Sequence, residues 1–345
     1  MMQQRLGAAA ALASVALLAA PPCPAAAPPP TQQQAIVLNG GAGPQTLQLQ
    51  TIPVPAPGSD QVLVRVVTAS VNPADWAQLQ RTEEGPAGAR EVPGLDVSGV
   101  IAAVGAGVTR PRVGTAVFGM VEHMGLNGGY AQYALADAAS VTEKPADISF
   151  AEAAGLGVAG VTALRALDEA QVQAGQRVLI TGIAGGVGSI AAQAALARRA
   201  VVLGTASPRH DAYLHTLGVQ DVIDYHLGDI AARAGKLDVV IDTVGGNEAL
   251  QAFRALKPGG HFVSIARAHV PPQQCVAAQV QCFGSPGPAA HAPVAVLEQV
   301  AQLARDGKLH VHVDHTYPLA QAAQALQYVH DGHTEGKVVL AVGHP

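Results

Sequence analysis

Four glycines in seven residues, Gly182, Gly185, Gly186 and Gly188, follow the apolar run Val178-Leu179-Ile180 and precede an alanine-rich segment of helical character, Ser189 to Arg199. A strand that ends in glycines and opens a helix lets backbone approach a pyrophosphate, because glycine has no Cβ to hold the phosphates off. The helix N-terminus then offers free N–H groups and a positive dipole end to the anion. With Val187 inside it, the turn is a variant of G-x-G-x-x-G. It sits in a run of alternating strands and helices, and that context gives the motif its weight. A tight turn with no ligand is the lesser reading. The implied chemistry is dinucleotide binding and hence redox.

The next strand selects the cofactor. An NAD site usually places an acid about 20 residues beyond the glycines, on the ribose 2′-hydroxyl. Here Gly204-Thr205-Ala206-Ser207-Pro208-Arg209 carries no acid. The Ser207 hydroxyl and the Arg209 guanidinium suit a 2′-phosphate. The residues therefore point to NADP(H). Ser207 would also serve as a helix N-cap with Pro208 as the first helical residue, and Arg209 could be solvated. The missing acid is the stronger signal.

Other polar residues are weaker candidates. Tyr130 carries a group able to donate a proton, although a packed aromatic with one hydrogen bond is the plainer reading. Asp75 is read as stabilising a turn. His310, His312 and Asp314 alternate as on a strand, which would put them on one face; solvated positions are favoured over a metal grip. Glu83 and Glu84 read as surface. Cys275 and Cys282 could pair in an oxidising compartment, yet two thiols without C-x-x-C spacing read first as apolar filling. No zinc-site spacing is present.

The elements that must position these residues fall into two textures. From Ala35 to Gly119 short strands alternate with turns, as in Gln61 to Val67, Val100 to Val104 and Thr115 to Phe118; this predicts a partly barrel-like antiparallel β region. From Glu152 to Ala170 apolar residues recur at helical spacing. Strands at 177–181, 200–204, 221–224, 237–241 and 260–265 then alternate with helices at 187–199, 209–217 and 247–256. This predicts βαβ units and a parallel sheet. Helices at Val294 to Asp306 and Ala320 to His330 precede a late strand, Lys337 to Val342, predicted to return to the first domain.

Of 345 residues, 49% are hydrophobic and 3% aromatic, so Ala, Val and Gly must fill a sizeable core across two domains. The formal net charge of −5, without basic clusters, argues against nucleic acid. The first thirty residues differ. Arg5 is the only charge before the apolar run Leu6 to Ala20, and Ala25-Ala26-Ala27 follows. This reads as a secretory signal peptide cleaved after Ala26, and the run is too short for a stable membrane span. The alternative is an upstream start in a cytoplasmic protein. Export would separate the protein from the cytosolic supply of NADPH.

Several segments together carry a family resemblance from about Ala35 to Val342. Val71-Asn72-Pro73-Ala74-Asp75-Trp76 resembles an Asn-Pro-x-Asp motif, and Pro93-Gly94-Leu95-Asp96-Val97-Ser98-Gly99-Val100 a PGxDxSGxV strand. Gly128 to Tyr133 resembles GGxAEY with Gln132 for Glu, and Ala159 to Ala163 a GLTA helix. Thr205 to Arg209 resembles TASxR, and Leu217 to Tyr225 resembles LGAxxVIDY. Asp242 to Gly246, Leu256 to Gly260 and Gly336 to Leu340 complete the order. The chain thus resembles the zinc-independent quinone oxidoreductase branch of the medium-chain dehydrogenase/reductase superfamily.

The resemblance implies an α/β fold: a GroES-like β-rich catalytic domain, 31–150 and 313–345, interrupted by a Rossmann-type doubly wound domain, 151–312. It implies NADPH-dependent reduction of a quinone or α,β-unsaturated carbonyl; an enoyl-thioester reductase or a NADPH-binding sensor of little turnover are the alternatives. Asn72 and Thr162 would lie near the nicotinamide, Val244 and Ile265 would line its pocket, and Tyr225 would join Ser207 and Arg209 at the 2′-phosphate. Lys337 would approach the cofactor from the C-terminal strand. Zinc-dependent relatives carry a cysteine near the Asn72 position and a four-cysteine lobe, and both are missing here. Ala77 and Gln78 stand where some relatives carry a tyrosine. A homodimer paired along the nucleotide-domain sheet is expected, with the segment His269 to Val280 contributing.

Overall fold

The computed structural model describes residues 28–39, 43–79, 91–121, 127–219, 221–266, 270–284, 294–332 and 334–344. The leader up to residue 27, the pair Glu83 and Glu84, Gln220 and His269 lie outside the described residues.

Seven strands come first: β1 (Gln32–Leu38), β2 (Leu47–Pro53), β3 (Gln61–Val71), β4 (Asp96–Val104), β5 (Ala116–Met120), β6 (Tyr133–Asp137) and β7 (Val141–Glu143). Helix α1 (Pro73–Leu79) leaves the end of β3. The parallel strands are β8 (Arg177–Ile180), β9 (Val201–Thr205), β10 (Asp221–Ile223), β11 (Leu237–Asp242), β12 (Leu256–Ser264) and β13 (Gln281–Gly284). The last two strands are β14 (Val313–Pro318) and β15 (Lys337–Ala341). Helices α2 (Phe150–Ala154), α3 (Gly157–Glu169), α4 (Gly186–Ala197), α5 (Asp211–Thr216), α6 (Ile230–Ala234), α7 (Gly246–Phe253), α8 (Pro272–Ala278), α9 (Val294–Arg305) and α10 (Ala322–His330) connect and cover the sheets.

The parallel sheet has the order β10-β9-β8-β11-β12-β13. It is the doubly wound arrangement, with its order reversing beside β8, and so places a crevice at the carboxyl ends of β8 and β11. Val178, Leu179 and Ile180 are fully buried, as a central parallel strand requires. Helix α4 buries Ile190, Ala191, Ala192, Ala194 and Ala195; small side chains stand in for the missing aromatics and let it lie close to the sheet. The second sheet runs β14-β15-β3-β4-β5-β7, with β6 also on β3. Strand β15 pairs antiparallel with β3, matching Val338 with Val71, so the late strand does return to the first sheet.

Four expectations are corrected. The helix read over Glu152 to Ala170 is two helices. A capping box at Ser149 starts α2, with Glu152 N–H donating to Ser149 Oγ at 3.1 Å and Ser149 N–H to Glu152 Oε2 at 2.7 Å. The chain then restarts at Gly157, where a Cβ would strike the Asp96 carboxylate, and Val158 N–H donates to Asp96 Oδ1 at 2.7 Å. The break aims the start of α3 at a buried acid, which a continuous helix could not do.

His310 and His312 precede β14 instead of lying on it, so the three residues 310, 312 and 314 share no strand face. Gln193 on α4 takes up the backbone of His310, accepting from its N–H at 2.8 Å and donating to its carbonyl at 2.9 Å. Ser207 opens a 3-10 turn, Pro208–His210, without a side-chain cap bond, and α5 begins only at Asp211. Cys275 on α8 and Cys282 on β13 form a disulfide, not apolar filling.

Candidate active site

Strand β3 delivers Asn72 at its end, and Pro73 opens α1 directly after it. Asp75, in the first turn of that helix, accepts from Asn72 N–H at 2.8 Å through Oδ2 and fixes the backbone there. Asp75 therefore has the turn-stabilising role expected of it. Tyr130 Oη–H donates to the same oxygen at 2.9 Å. Among the described residues Asp75 Oδ1 has no hydrogen-bond partner.

The Asn72 side chain joins two further groups. Its Nδ2 donates to Asp96 Oδ2 at 2.9 Å, and its Oδ1 accepts from Lys337 Nζ at 2.6 Å. Lys337 Nζ also lies 3.4 Å from the Val71 carbonyl. Asp75, Asp96 and Lys337 are all buried. Burial is the largest influence on each. It pushes Asp75 up to about 7 and Asp96 up to about 6, against opposing hydrogen bonds and the Lys337 charge. Burial pulls Lys337 below the ordinary lysine range, while Asp96 and Asp75 draw it back up. Burial also holds the Tyr130 phenol well above its ordinary range, and Asp75 adds to this.

A cavity of about 930 Å³ opens beside this network, walled by Asn72, Thr162, Gly185, Val187, Ile265 and Lys337 among others. Gly186 and Gly188 also face it. At the turn, Gly182 has φ +59°, a left-handed backbone that glycine adopts without strain. Its N–H donates to Thr205 Oγ1 at 3.1 Å, and Thr205 in turn donates to Glu248. Asp242 ties the strand ends together: it accepts from Thr181 Oγ1 at 2.8 Å, Gly245 N–H at 2.9 Å and Ser264 Oγ at 2.6 Å.

The turn fits a pyrophosphate. Gly185 caps α4 without any side-chain bond to its N–H groups. A Cβ on Gly185 would meet only the Gly182 carbonyl, at 3.4 Å, and so would fill cavity space. The side chain it lacks is the room an anion needs.

The structure separates the remaining expected residues. Thr162, Gly185, Gly186, Val187, Gly188, Ile265, Asn72 and Lys337 meet at one cavity. Val244 does not line it; it is 51% exposed beside Gly182. Tyr130 is fully buried behind Asp75 and not on the cavity wall, so it is not placed to donate a proton there. Ser207, Arg209 and Tyr225 follow the ends of the adjacent strands β9 and β10, beyond the cavity lining. Arg209 Nε–H donates to His210 Nε2 at 3.0 Å, and the Tyr225 ring stacks on His226 with centroids 4.1 Å apart. Sequence reasoning gave no role to Asp96, Asp242, His210 or Glu335. An acid inside the apolar run Leu95-Asp96-Val97 was the available signal for the first.

The two large sheets, beside the small antiparallel pair β1–β2, have counterparts in known proteins. Residues 58–146 match the model described as alcohol dehydrogenase GroES-like domain, and residues 217–340 match zinc-binding dehydrogenase. The chain is 31% identical to the chloroplast envelope quinone oxidoreductase homolog of Arabidopsis thaliana, over 87% of this chain and 95% of that protein. It is 33% identical to the NADPH-dependent alkenal/one oxidoreductase of Arabidopsis thaliana, over 86% of this chain and 76% of the relative. The quinone oxidoreductase structure from Coxiella burnetii superposes with a TM-score of 0.81 at 30% identity, covering 90% of this chain and all of that one. Agreement of this extent in sequence, in both sheets and in their connection makes the chain an oxidoreductase of the medium-chain dehydrogenase/reductase superfamily, with quinone oxidoreductases among its relatives.

Proposed function

We propose that this oxidoreductase uses NADPH to reduce quinones or α,β-unsaturated carbonyls, without zinc. One observation carries the reading: a single cavity joins the glycine turn to the buried Asn72–Lys337 pair, giving a dinucleotide and a flat conjugated oxo compound one shared space. Gly182, Gly185, Gly186, Val187 and Gly188 would hold the pyrophosphate. Ser207, Arg209 and Tyr225 would hold the 2′-phosphate, and Thr162 and Ile265, on the cavity wall, would flank the nicotinamide. When bound, the reduced nicotinamide supplies the hydride. The chain's own residues orient the acceptor, keep water out and hold charge near its oxygen. Zinc independence is supported by Asn72, an amide already engaged by Lys337 and Asp96 where zinc-dependent relatives carry a cysteine.

The test is NADPH consumption with small quinones, alkenals and crotonyl thioesters assayed in parallel. Turnover of quinones or alkenals is the expected result. Turnover of the thioester alone would replace the reading with an enoyl-thioester reductase.

We also read residues 1–30 as an export signal and the protein as a homodimer. Cys275–Cys282 supports export, because disulfides persist in oxidising compartments. Strand β13, at the end of the parallel sheet, offers an edge for pairing. Fractionation with N-terminal sequencing tests the first, and sizing in solution the second. Among the described residues, no helix is long and apolar enough to cross a membrane.

A further inference from the structure

Lys337 presents an incomplete set of bonds at the wall of the cavity. An ammonium has three N–H groups. Asn72 Oδ1 takes one at 2.6 Å, and the Val71 carbonyl lies near a second at 3.4 Å. Among the described residues the third has no acceptor. Lys337, Asn72 and Val71 all line the cavity, and Lys337 is only 5% exposed. A buried cation with a spare donor on a cavity wall is built to meet an oxygen that gains negative charge.

The surroundings keep that cation in place. Asp96 fixes Asn72 through Nδ2, and the amide therefore turns its Oδ1 toward Lys337. Val158 N–H fixes Asp96 in turn. Gly186 leaves room for the stem, since a Cβ there would lie 2.5 Å from Lys337 Cδ. Asp96 and Asp75, without either one bonding the ammonium, partly offset the burial that pulls Lys337 below the ordinary lysine range.

We propose that Lys337 is the catalytic residue that stabilises and protonates the acceptor's oxygen, with Asn72 and Asp96 as its positioning residues. This rests on the hydride-acceptor reading above. As hydride adds to the conjugated acceptor, the displaced electron pair moves onto its oxygen. One Lys337 N–H bond breaks and an O–H bond forms, leaving a neutral amine. Once the product has left and solvent re-enters, a proton taken up from bulk solvent restores the ammonium before the next turnover.

The experiment has two arms. In the first, 4-nitrophenol is titrated spectroscopically with the full protein in the absence of nucleotide, because its phenolate mimics the charged oxygen and reports its own ionisation. Bound nitrophenol ionises at lower pH than free nitrophenol in the parent and in Lys337→Arg, but not in Lys337→Met. In the second, steady-state reduction of a small quinone shows kcat falling about 100-fold in Lys337→Met, as for loss of one oxyanion donor, with only partial recovery in Lys337→Arg, which keeps the charge but does not release a proton, and little change in the KM for NADPH. Asn72→Ala and Asp96→Asn, which keep the lysine, lower kcat by less and shift the phenol titration partway. An unshifted phenol in the parent, a shift that survives Lys337→Met, or a raised KM for NADPH at unchanged kcat would each overturn the assignment. Parent protein that reduces no quinone or alkenal defeats the acceptor reading alone, and the phenol titration still judges Lys337.

Discussion

His210 Nδ1 stands 2.7 Å from Glu335 Oε2, linking the loop after β9 to the residue two places before β15. Its other nitrogen accepts from Arg209 Nε–H at 3.0 Å, so the ring proton must sit on Nδ1 and be donated to Glu335. Arg209, the residue proposed for the 2′-phosphate, is thus linked through a histidine to an acid on the segment that leads into β15.

Arg209→Ala is expected to weaken NADPH binding about tenfold while leaving NADH nearly unchanged, as loss of one charge-assisted phosphate contact. Glu335→Gln should give a smaller effect of the same sign. Fluorescence titration with both nucleotides checks this. Equal affinity of the parent for the two would refute the preference itself.

The second expectation concerns pH. The folded-state pKa of Asp75 is raised from 3.8 to about 7, chiefly by burial. A carboxyl shifted upward binds its proton more tightly when folded. Its stabilising contribution is full below 3.8 and is lost as pH rises through about 7. Asp96 acts with the same sign through about 6. Asn at position 75 can accept the same two bonds and places an amide where Oδ1 lacks a partner. Urea unfolding across this range should show a shallower fall in stability for Asp75→Asn than for the parent. An identical pH profile would show that Asp75 does not titrate there.

Gly186→Ala tests the coupling between the glycine turn and the lysine. The new Cβ would lie 2.5 Å from Lys337 Cδ and 3.2 Å from the Gly336 carbonyl. The backbone there has no positive φ, so alanine fits the helix itself. Quinone turnover should fall at least about tenfold, the scale on which small misplacement of reacting groups is felt. Thermal stability should change little by comparison. Full activity would mean that Lys337 can shift without consequence.

The bond between Cys275 and Cys282 closes a short loop that includes the start of β13. A double Cys275→Ser, Cys282→Ser variant should lose roughly 2 kcal/mol, by the chain-entropy relation for so short a loop. Gln281 and Phe283 on the same strand face the cavity, so the KM for the acceptor should rise with it. Alkylation of both thiols in native, non-reduced protein would show that no bond forms.

The alternation of strands and helices and the glycine turn were legible because they rest on local periodicity and on glycine geometry. The late strand's return was legible for a similar reason: Val338 to Leu340 form an apolar run too short to stand alone. Asp96 was not. Its partner Asn72 lies 24 residues away, and the chain is 265 residues from Asn72 to Lys337. No local pattern encodes such a meeting. The break between α2 and α3 escaped notice because its cause is again Asp96, on another element. Helices α6 and α8 and strand β13 are short, and polar runs such as Pro271-Pro272-Gln273-Gln274 give little periodicity to read.

The distance in sequence between Asn72 and Lys337 also sets an order of events. During synthesis, β3, β4 and α1 are complete long before β15 exists, and the edge of β3 from Thr68 to Val71 waits unpaired while the whole parallel sheet is made. Closing that gap is a non-local step of the kind that slows folding and leaves a strand edge open to wrong partners. Until β15 docks, Asp75 and Asp96 have no cation beside them. The last strand to arrive therefore closes the sheet and neutralises its interior together, and a chain that has not completed its fold has no assembled site with which to act on a substrate.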